Sequence, residues 1–590
     1  MNVRGKGDTI EAVDRHALAG LCLLCACAGC ENPGLDEGAA TLVLLETHPG
    51  SGASGSPIAG PIRMTFNEPI ERASAAGAFS LVDGGGRAVF GTLTVQGREV
   101  RFDPELPLRL SETYRAEVTP GIRGENGASL DAAAEWSFST IGGELGPARK
   151  IGTIDSHYND FQMSVTIDEQ ARPWAVWLED VATFSDPVIV PQPQAIVVAV
   201  QGADRSSWQS SHRFEAPSVE TALSFSCLLW DGQHNGYLVW QERVTGEDRI
   251  QLARFDPERE KWGAPETVVK STHELAYPRC GLDSSAPQSR LGLQVVWLER
   301  GAKNEIRRRV LDVAEGRWLE PAALVGDGSD TKILASVGLQ RAGPETRLYF
   351  ATETLSTILL RVATLEDGAL RDEKLVTGLP PKVEALQLGT NRNGAAFLLW
   401  EDQSDTSTTS LWAVSRGPDK SSWSSPVKLV ERPRAQTIEG SQISVDAAGD
   451  AFVSWREADG SSWKVYHARY QRASNRWGDP ALFQSVDSGF HASGIAAGGP
   501  MIIVVSSEAT ADSVWHSEQQ TPSGPWTKPA ELSRHENKVV FPPANLVTMP
   551  TGQLAAFWYE RVRHTRDVGG VLLAYYSFDL WGVVYQAEGS

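Results

Sequence analysis

Eight carboxylates recur at comparable places along this chain: Glu179, Glu242, Glu299, Glu353, Glu401, Glu457, Glu508 and Glu560. Each lies one to three residues after the end of an apolar run, and Gly449-Asp450-Ala451-Phe452-Val453-Ser454-Trp455-Arg456-Glu457 is the clearest copy. If the copies are related by rotation, the acids converge on a ring. Such a ring could bind Ca2+ or a cationic ligand, and two of its members could act as acid and base on a glycoside. The competing reading is architectural: each Glu closes its own strand end or pairs with an arginine such as Arg243, Arg300 or Arg561. A device present in every copy favours architecture, because an active site needs asymmetry. No residue is therefore assigned a catalytic role.

Other chemistry is sparse. The 11 His show no His-Glu-x-x-His and no pair at ligand spacing, and no phosphate loop, dinucleotide fingerprint or Gly-x-Ser-x-Gly occurs. No metal is expected, and no cofactor beyond the Ca2+ already named. Cys227 and Cys280 precede Trp240 and Trp297 in consecutive copies, so either a disulfide between neighbouring units or two buried thiols would fit. The other four Cys crowd residues 22 to 30 in an apolar run without further ligands at zinc spacing.

The elements that must hold these residues are strands. Inner anchors at Trp177, Trp240, Trp297, Phe350, Trp400, Trp455, Val505 and Trp558 alternate with outer ones at Trp208, Trp262, Trp318, Trp423, Trp477, Trp526 and Trp581. A degraded outer copy spans Asp372 to Leu375. The period is roughly fifty residues, which marks a propeller or solenoid, and four strands per unit suit a propeller blade. No stretch carries helical periodicity with caps. Eight blades are expected over 146–590, with seven if a terminal unit is accessory. Pro147 to Ile151 loosely echoes the outer strand at Pro529 and is the candidate to close the ring. The second-to-third-strand stretches, such as Asp180 to Asp186 and Arg561 to Arg566, read as loops that vary between copies.

Residues 40–141 read as seven or so short strands with turns at Asp83-Gly84-Gly85-Gly86 and Glu125-Asn126-Gly127, a β-sandwich pattern. Met64-Thr65-Phe66-Asn67-Glu68-Pro69-Ile70, Arg101-Phe102-Asp103-Pro104 and the closing Phe138-Ser139-Thr140 resemble a bacterial Ig-like family of envelope proteins, which implies a spacer or adhesive module. The Trp-x-x-Pro outer strands resemble the sialidase-like superfamily of secreted bacterial propellers. Its aspartate box is only approximated at Gly417 to Trp423 and Ala203 to Trp208, and its arginine motif is missing, so the resemblance implies fold rather than sialidase activity.

At the N-terminus, Ala17 to Cys30 is an apolar run too short to span a bilayer, closed by Ala28-Gly29-Cys30. It resembles a bacterial lipoprotein signal, which implies residues 1–30 as signal peptide, lipidation at Cys30 and a tether over 31–39. Lipidation at Cys27 and an ordinary cleaved secretory signal are the alternatives.

With 590 residues and 41% hydrophobic content the chain can fill several cores. The net charge of −20 argues against nucleic acid and anionic lipid as partners. The expectation is an all-β envelope protein, anchored at the outer membrane or cell surface or else secreted, that displays a propeller to a protein or carbohydrate. A glycan-active hydrolase or lyase is the alternative.

Overall fold

A computed structural model describes residues 41–587 apart from short stretches between strands. The expected leader, the tether and Cys30 lie outside the described residues. Among those described, strands dominate, with one four-residue helix at Arg72–Ala75.

The first unit is a sandwich. One sheet orders Leu44–His48, Ile62–Phe66, Glu99–Pro104 and Gly91–Gln96; the other orders Phe79–Asp83, Thr113–Val118 and Ala134–Ser139. Alternation drives it: along Ile62–Phe66 and Thr113–Val118 every second side chain is buried, so Met64, Phe66, Tyr114, Ala116 and Phe138 meet in one core. Beside them, Ala88 forms an isolated bridge to Val82.

Among the described residues, eight antiparallel sheets of four or five strands follow. The sixth is representative: inner strand Ile438–Val445, second strand Ala451–Asp459, third strand Ser462–Gln471, then an outer edge split into Arg476–Trp477 and Ala481–Val486. Its local chemistry recurs. Asp446 accepts the Asp450 backbone N–H at 2.9 Å, as Asn391 does from Ala395 and Asp168 from Arg172, so an Asx side chain folds the first turn of three blades. Before the outer Trp, Glu260, Gly316 and Asn475 share a left-handed backbone at φ 50°, 65° and 53°, which bends the third strand back toward its edge.

The second strands are buried on both faces. Trp240, Trp297, Trp455 and Trp558 are each under 2% exposed, and each removes about 200 Å2 from water, worth up to about 5 kcal/mol. Outer tryptophans dock on the preceding blade: Trp262 against Trp174, Trp423 against Tyr349, Trp477 against Phe397 and Trp526 against Phe452. These rings are the cement between blades.

The eighth sheet takes its outer strand from before the repeats. Arg149–Ile154 pairs with Val571–Ala587, and Lys150 forms an ion pair with Asp579 at 2.8 Å. This covers the edge the last blade would otherwise expose. Trp208 of the first blade meets Phe557 of the eighth at 6.5 Å, and a Cβ on Gly152 would come within 3.0 Å of the Trp177 ring, so first and last blades touch. Trp581 therefore stands on a third strand, opposite Trp558, and not on an outer one.

Two second-to-third connections depart from the loop expectation. Ala182–Ser185 and Val188–Pro191 form an extra hairpin in the first blade. In the eighth, Arg561 to Arg566 continues as strand within Leu554–Val568, paired along the long Val571–Ala587. At the opposite end of the blades the Ig-like unit is packed on: Gly143 lies so close to Tyr585 and Leu110 that a Cβ there would sit 2.3 Å from the Tyr585 ring. Arg109 of the sandwich also acts on Asp446 in the first turn of the sixth blade, where burial and Asp450 push the Asp446 pKa up.

Candidate functional site

The repeated acids are mostly engaged by their own blades. A residue two positions after the anchor lies on the same face of its strand, so the indole N–H reaches it. Trp177 donates to Glu179 at 3.3 Å, Trp240 to Glu242 at 3.2 Å, Trp455 to Glu457 at 2.8 Å and Trp558 to Glu560 at 3.2 Å. The second carboxylate oxygen takes Arg213 on Glu179, Gln251 at 2.9 Å on Glu242 and Arg432 at 2.6 Å on Glu457. Arg432 comes from the outer strand of the fifth blade, so that pair also ties two blades. Arg243 and Arg300 pair with Asp248 and Glu274 instead.

Glu401 is out of phase. It follows Trp400 by one residue, opposes Leu411, and takes the Ser441 hydroxyl at 2.8 Å, while Asp402 occupies the place equivalent to Glu457. Glu353 is in a second strand with its side chain outside the described set, and Glu508 lies outside the described residues. Among the described residues, no three His, Cys, Asp or Glu are arranged to hold a metal ion.

The third blade breaks the pattern. Its Trp297 indole N–H is buried without a partner among the described residues. Glu299, instead of accepting it, takes the Ser271 hydroxyl at 2.7 Å, Arg307 at 3.0 Å and His273 Nδ1 at 3.4 Å. Burial works against its charge, but Ser271, Arg307 and His273 outweigh it and lower the Glu299 pKa.

Beside Glu299 the inner strand Glu274–Asp283 carries a bulge between Ala276 and Arg279. The sixth blade has the same bulge between Glu439 and Gln442. There Gly440 takes the left-handed conformation at φ 62°; here Tyr277 does so at φ 51°. A bulky residue in this region costs about 1 kcal/mol or more, a strain concentrated at functional sites. Tyr277 is 42% exposed. Arg300 lies over its ring at 5.3 Å and donates to its hydroxyl at 3.3 Å. Burial opposes the Arg300 charge, but Tyr277 and Glu274 outweigh it and raise its pKa.

Glu274 holds Arg300 at 3.3 Å and Arg243 of the second blade at 3.2 Å. Past the bulge, burial lowers the pKa of Arg279, whose guanidinium donates to the Pro278 carbonyl at 2.9 Å. Cys280 follows on the same strand and is disulfide-bonded to Cys227 of the second blade, with Cα atoms 6.2 Å apart. The bridge pins the inner strands of these two blades at mid-strand, opposite Val239 and Val295.

The site therefore joins an exposed phenol ring, guanidinium groups and an acid freed from its indole at the end where second strands pass to third. A ring face with fixed donors beside it suits a sugar, and the guanidinium groups suit a carboxylate on that sugar. Sequence reasoning missed Tyr277. The signal was in the repeat: Ala276-Tyr277-Pro278-Arg279 occupies the register of Glu439-Gly440-Ser441-Gln442, with Tyr where the bulge accepts Gly.

Residues 39–140 match the bacterial Ig-like domain family. No curated protein matches the chain. Several solved structures show a distant similarity to the chain. The polysaccharide lyase Uly1 shares 8% identity over 64% of this chain and 92% of its own, with a TM-score of 0.39. NanB sialidase from Streptococcus pneumoniae shares 9% over 92% and 93%, at 0.32. A puromycin-hydrolyzing peptidase from Mycobacterium tuberculosis shares 14% over 70% and 61%, at 0.37. The chain's own sheets and the family match make it an all-β protein with an Ig-like unit and a propeller-like repeat.

Proposed function

We propose that this chain is a lipid-anchored envelope protein whose propeller binds a carboxylated glycan without turning it over. The ligand lies over Tyr277, and its carboxylate goes to Arg300. The observation that carries the reading is Tyr277 itself, an exposed aromatic held in a left-handed bulge where the sixth blade has Gly440. The packing of the Ig-like unit supports the spacer role, since it meets the propeller at the end away from Tyr277.

Non-catalytic binding is favoured because the described acids of the repeat are engaged by indole, guanidinium, amide or hydroxyl groups. An acid/base pair would need one carboxyl held protonated and another open to water. The lyase reading keeps one observation, the Arg300 guanidinium at the Tyr277 hydroxyl, 3.3 Å away. Titration with uronic-acid oligosaccharides from alginate and hyaluronan, followed by product analysis, separates the two. Binding with unchanged oligosaccharide supports recognition, and unsaturated or shortened products overturn it. Anchoring has its own test: Cys30→Ser should release the protein from the membrane fraction, and retention there would contradict lipidation at Cys30.

A further inference from the structure

The third strand of the sixth blade carries a buried imidazole, His467. It opposes Ser454, the residue before the Trp455 anchor. The same place holds Val198, Leu252, Val362 and Ala413 in the first, second, fourth and fifth blades, and Arg308, His516 and Gly582 in the third, seventh and eighth. Four blades fill this place with an apolar residue, so the fold does not require an imidazole there for packing.

His467 is 9% exposed, and its Nε2 accepts the Trp526 indole N–H at 3.3 Å. An accepting Nε2 puts the proton of a neutral ring on Nδ1, which then can only donate. Burial keeps the ring neutral, pushing its pKa down to about 4. Among the described residues no group accepts from Nδ1, so the ring offers a donor.

His467 lines a groove of about 570 Å3 between the sixth and seventh blades, at the outer rim and apart from Tyr277. Two half-exposed indoles, Trp477 and Trp526, form its walls. Arg469 lines it with one arm on Asp450 at 2.8 Å and a buried Nε left unpartnered. The Gln471 amide lies at its mouth, with Leu482, a leucine left 50% exposed. The volume suits one or two sugar rings. Indole faces take the C–H face of a sugar, while a neutral imidazole, an amide and a guanidinium already tied to Asp450 offer hydroxyl-directed hydrogen bonds rather than a free charge.

We propose that this rim groove is a second ligand site, which takes an uncharged saccharide of one or two rings stacked on Trp526 or Trp477, with a hydroxyl accepting from His467. The site stands independently of Tyr277 and of the acidic glycan assigned there.

The test uses the full chain and a panel of neutral disaccharides (cellobiose, maltose, lactose and chitobiose), followed by tryptophan fluorescence and calorimetry. At least one should bind and perturb tryptophan emission. His467→Val, the residue the first and fourth blades carry, should weaken it at least tenfold with the melting temperature unchanged or higher. Leu482→Arg, at an exposed position, should also weaken it by obstructing the groove. Tyr277→Gly should leave this binding intact, so failure at one site is told apart from failure at the other. Absence of binding by the whole panel, unchanged affinity in both groove variants, or preference for a proline-rich peptide over every sugar would overturn the proposal.

Discussion

The third and sixth blades share a register, a bulge and a Trp-x-Glu anchor, yet use them differently. In the sixth, Glu457 closes a buried unit with Trp455 and Arg432, and Gly440 fills the bulge without strain. In the third, Glu299 has left its indole for Ser271, Arg307 and His273, and the bulge carries Tyr277. The same position is thus cement in one blade and part of a surface in the other. Repetition identifies what a position does for the fold, and departure from repetition identifies where the fold has been put to use.

The largest expected contrast is between the two acids. Glu457→Ala leaves Arg432 facing a buried gap and should cost about 3 to 5 kcal/mol, read from denaturant midpoints. Glu299→Ala should cost about 1 kcal/mol, because its partners reach solvent. Equal losses would mean that both acids are cement and would remove the distinction.

His467 sharpens the contrast through pH. Its folded pKa of about 4 lies below the ordinary 6.5, so the unfolded chain takes the proton first. The stability it supports is complete above about pH 6.5 and declines toward about pH 4, by roughly 3 kcal/mol in all. Arg469 is the charged groove neighbour on its own strand, with Arg476 and Asp479 at the edge. His467→Val should flatten this part of the stability profile. Arg308, at the same place in the third blade, has no proton to exchange in that range, so Arg308→Lys should leave the slope alone. A slope that persists in His467→Val would assign the acid sensitivity elsewhere.

The smallest effect comes from exchanging the bulge residues. Gly440→Tyr should lower stability by about 1 to 2 kcal/mol, since it places a side chain where φ is 62°. Tyr277→Gly should be neutral or stabilising by about 1 kcal/mol. A clear loss of stability in Tyr277→Gly would make that tyrosine a packing residue.

Much of the fold was legible in the sequence. The Trp-x-x-Pro and apolar-Trp runs repeat because each blade must bury its second strand against its neighbours. The strand that closes the ring could be glimpsed one residue out of phase, at Pro147 to Ile151, and spans Arg149–Ile154. The site was less legible for a physical reason. The acids attract attention because their type suggests chemistry, but whether an acid can reach its anchor indole depends on the parity of its spacing from Trp, which separates Glu457 from Glu401. Tyr277 has an unremarkable residue type. Only the register of its bulge, set by pairing with Gly292–Arg300, places it where glycine belongs. Likewise the Arg561 to Arg566 stretch looked like a loop because its charges resemble a solvated turn, yet the paired strand extends through it.

The most direct test of the central claim is the affinity of the full chain and of Tyr277→Gly for uronic-acid oligosaccharides, measured by calorimetry beside the melting temperature of each. The account predicts that the substitution reduces affinity at least tenfold while the protein melts at the same or a higher temperature. Unchanged affinity, or a loss that merely follows a lower melting temperature, would contradict it.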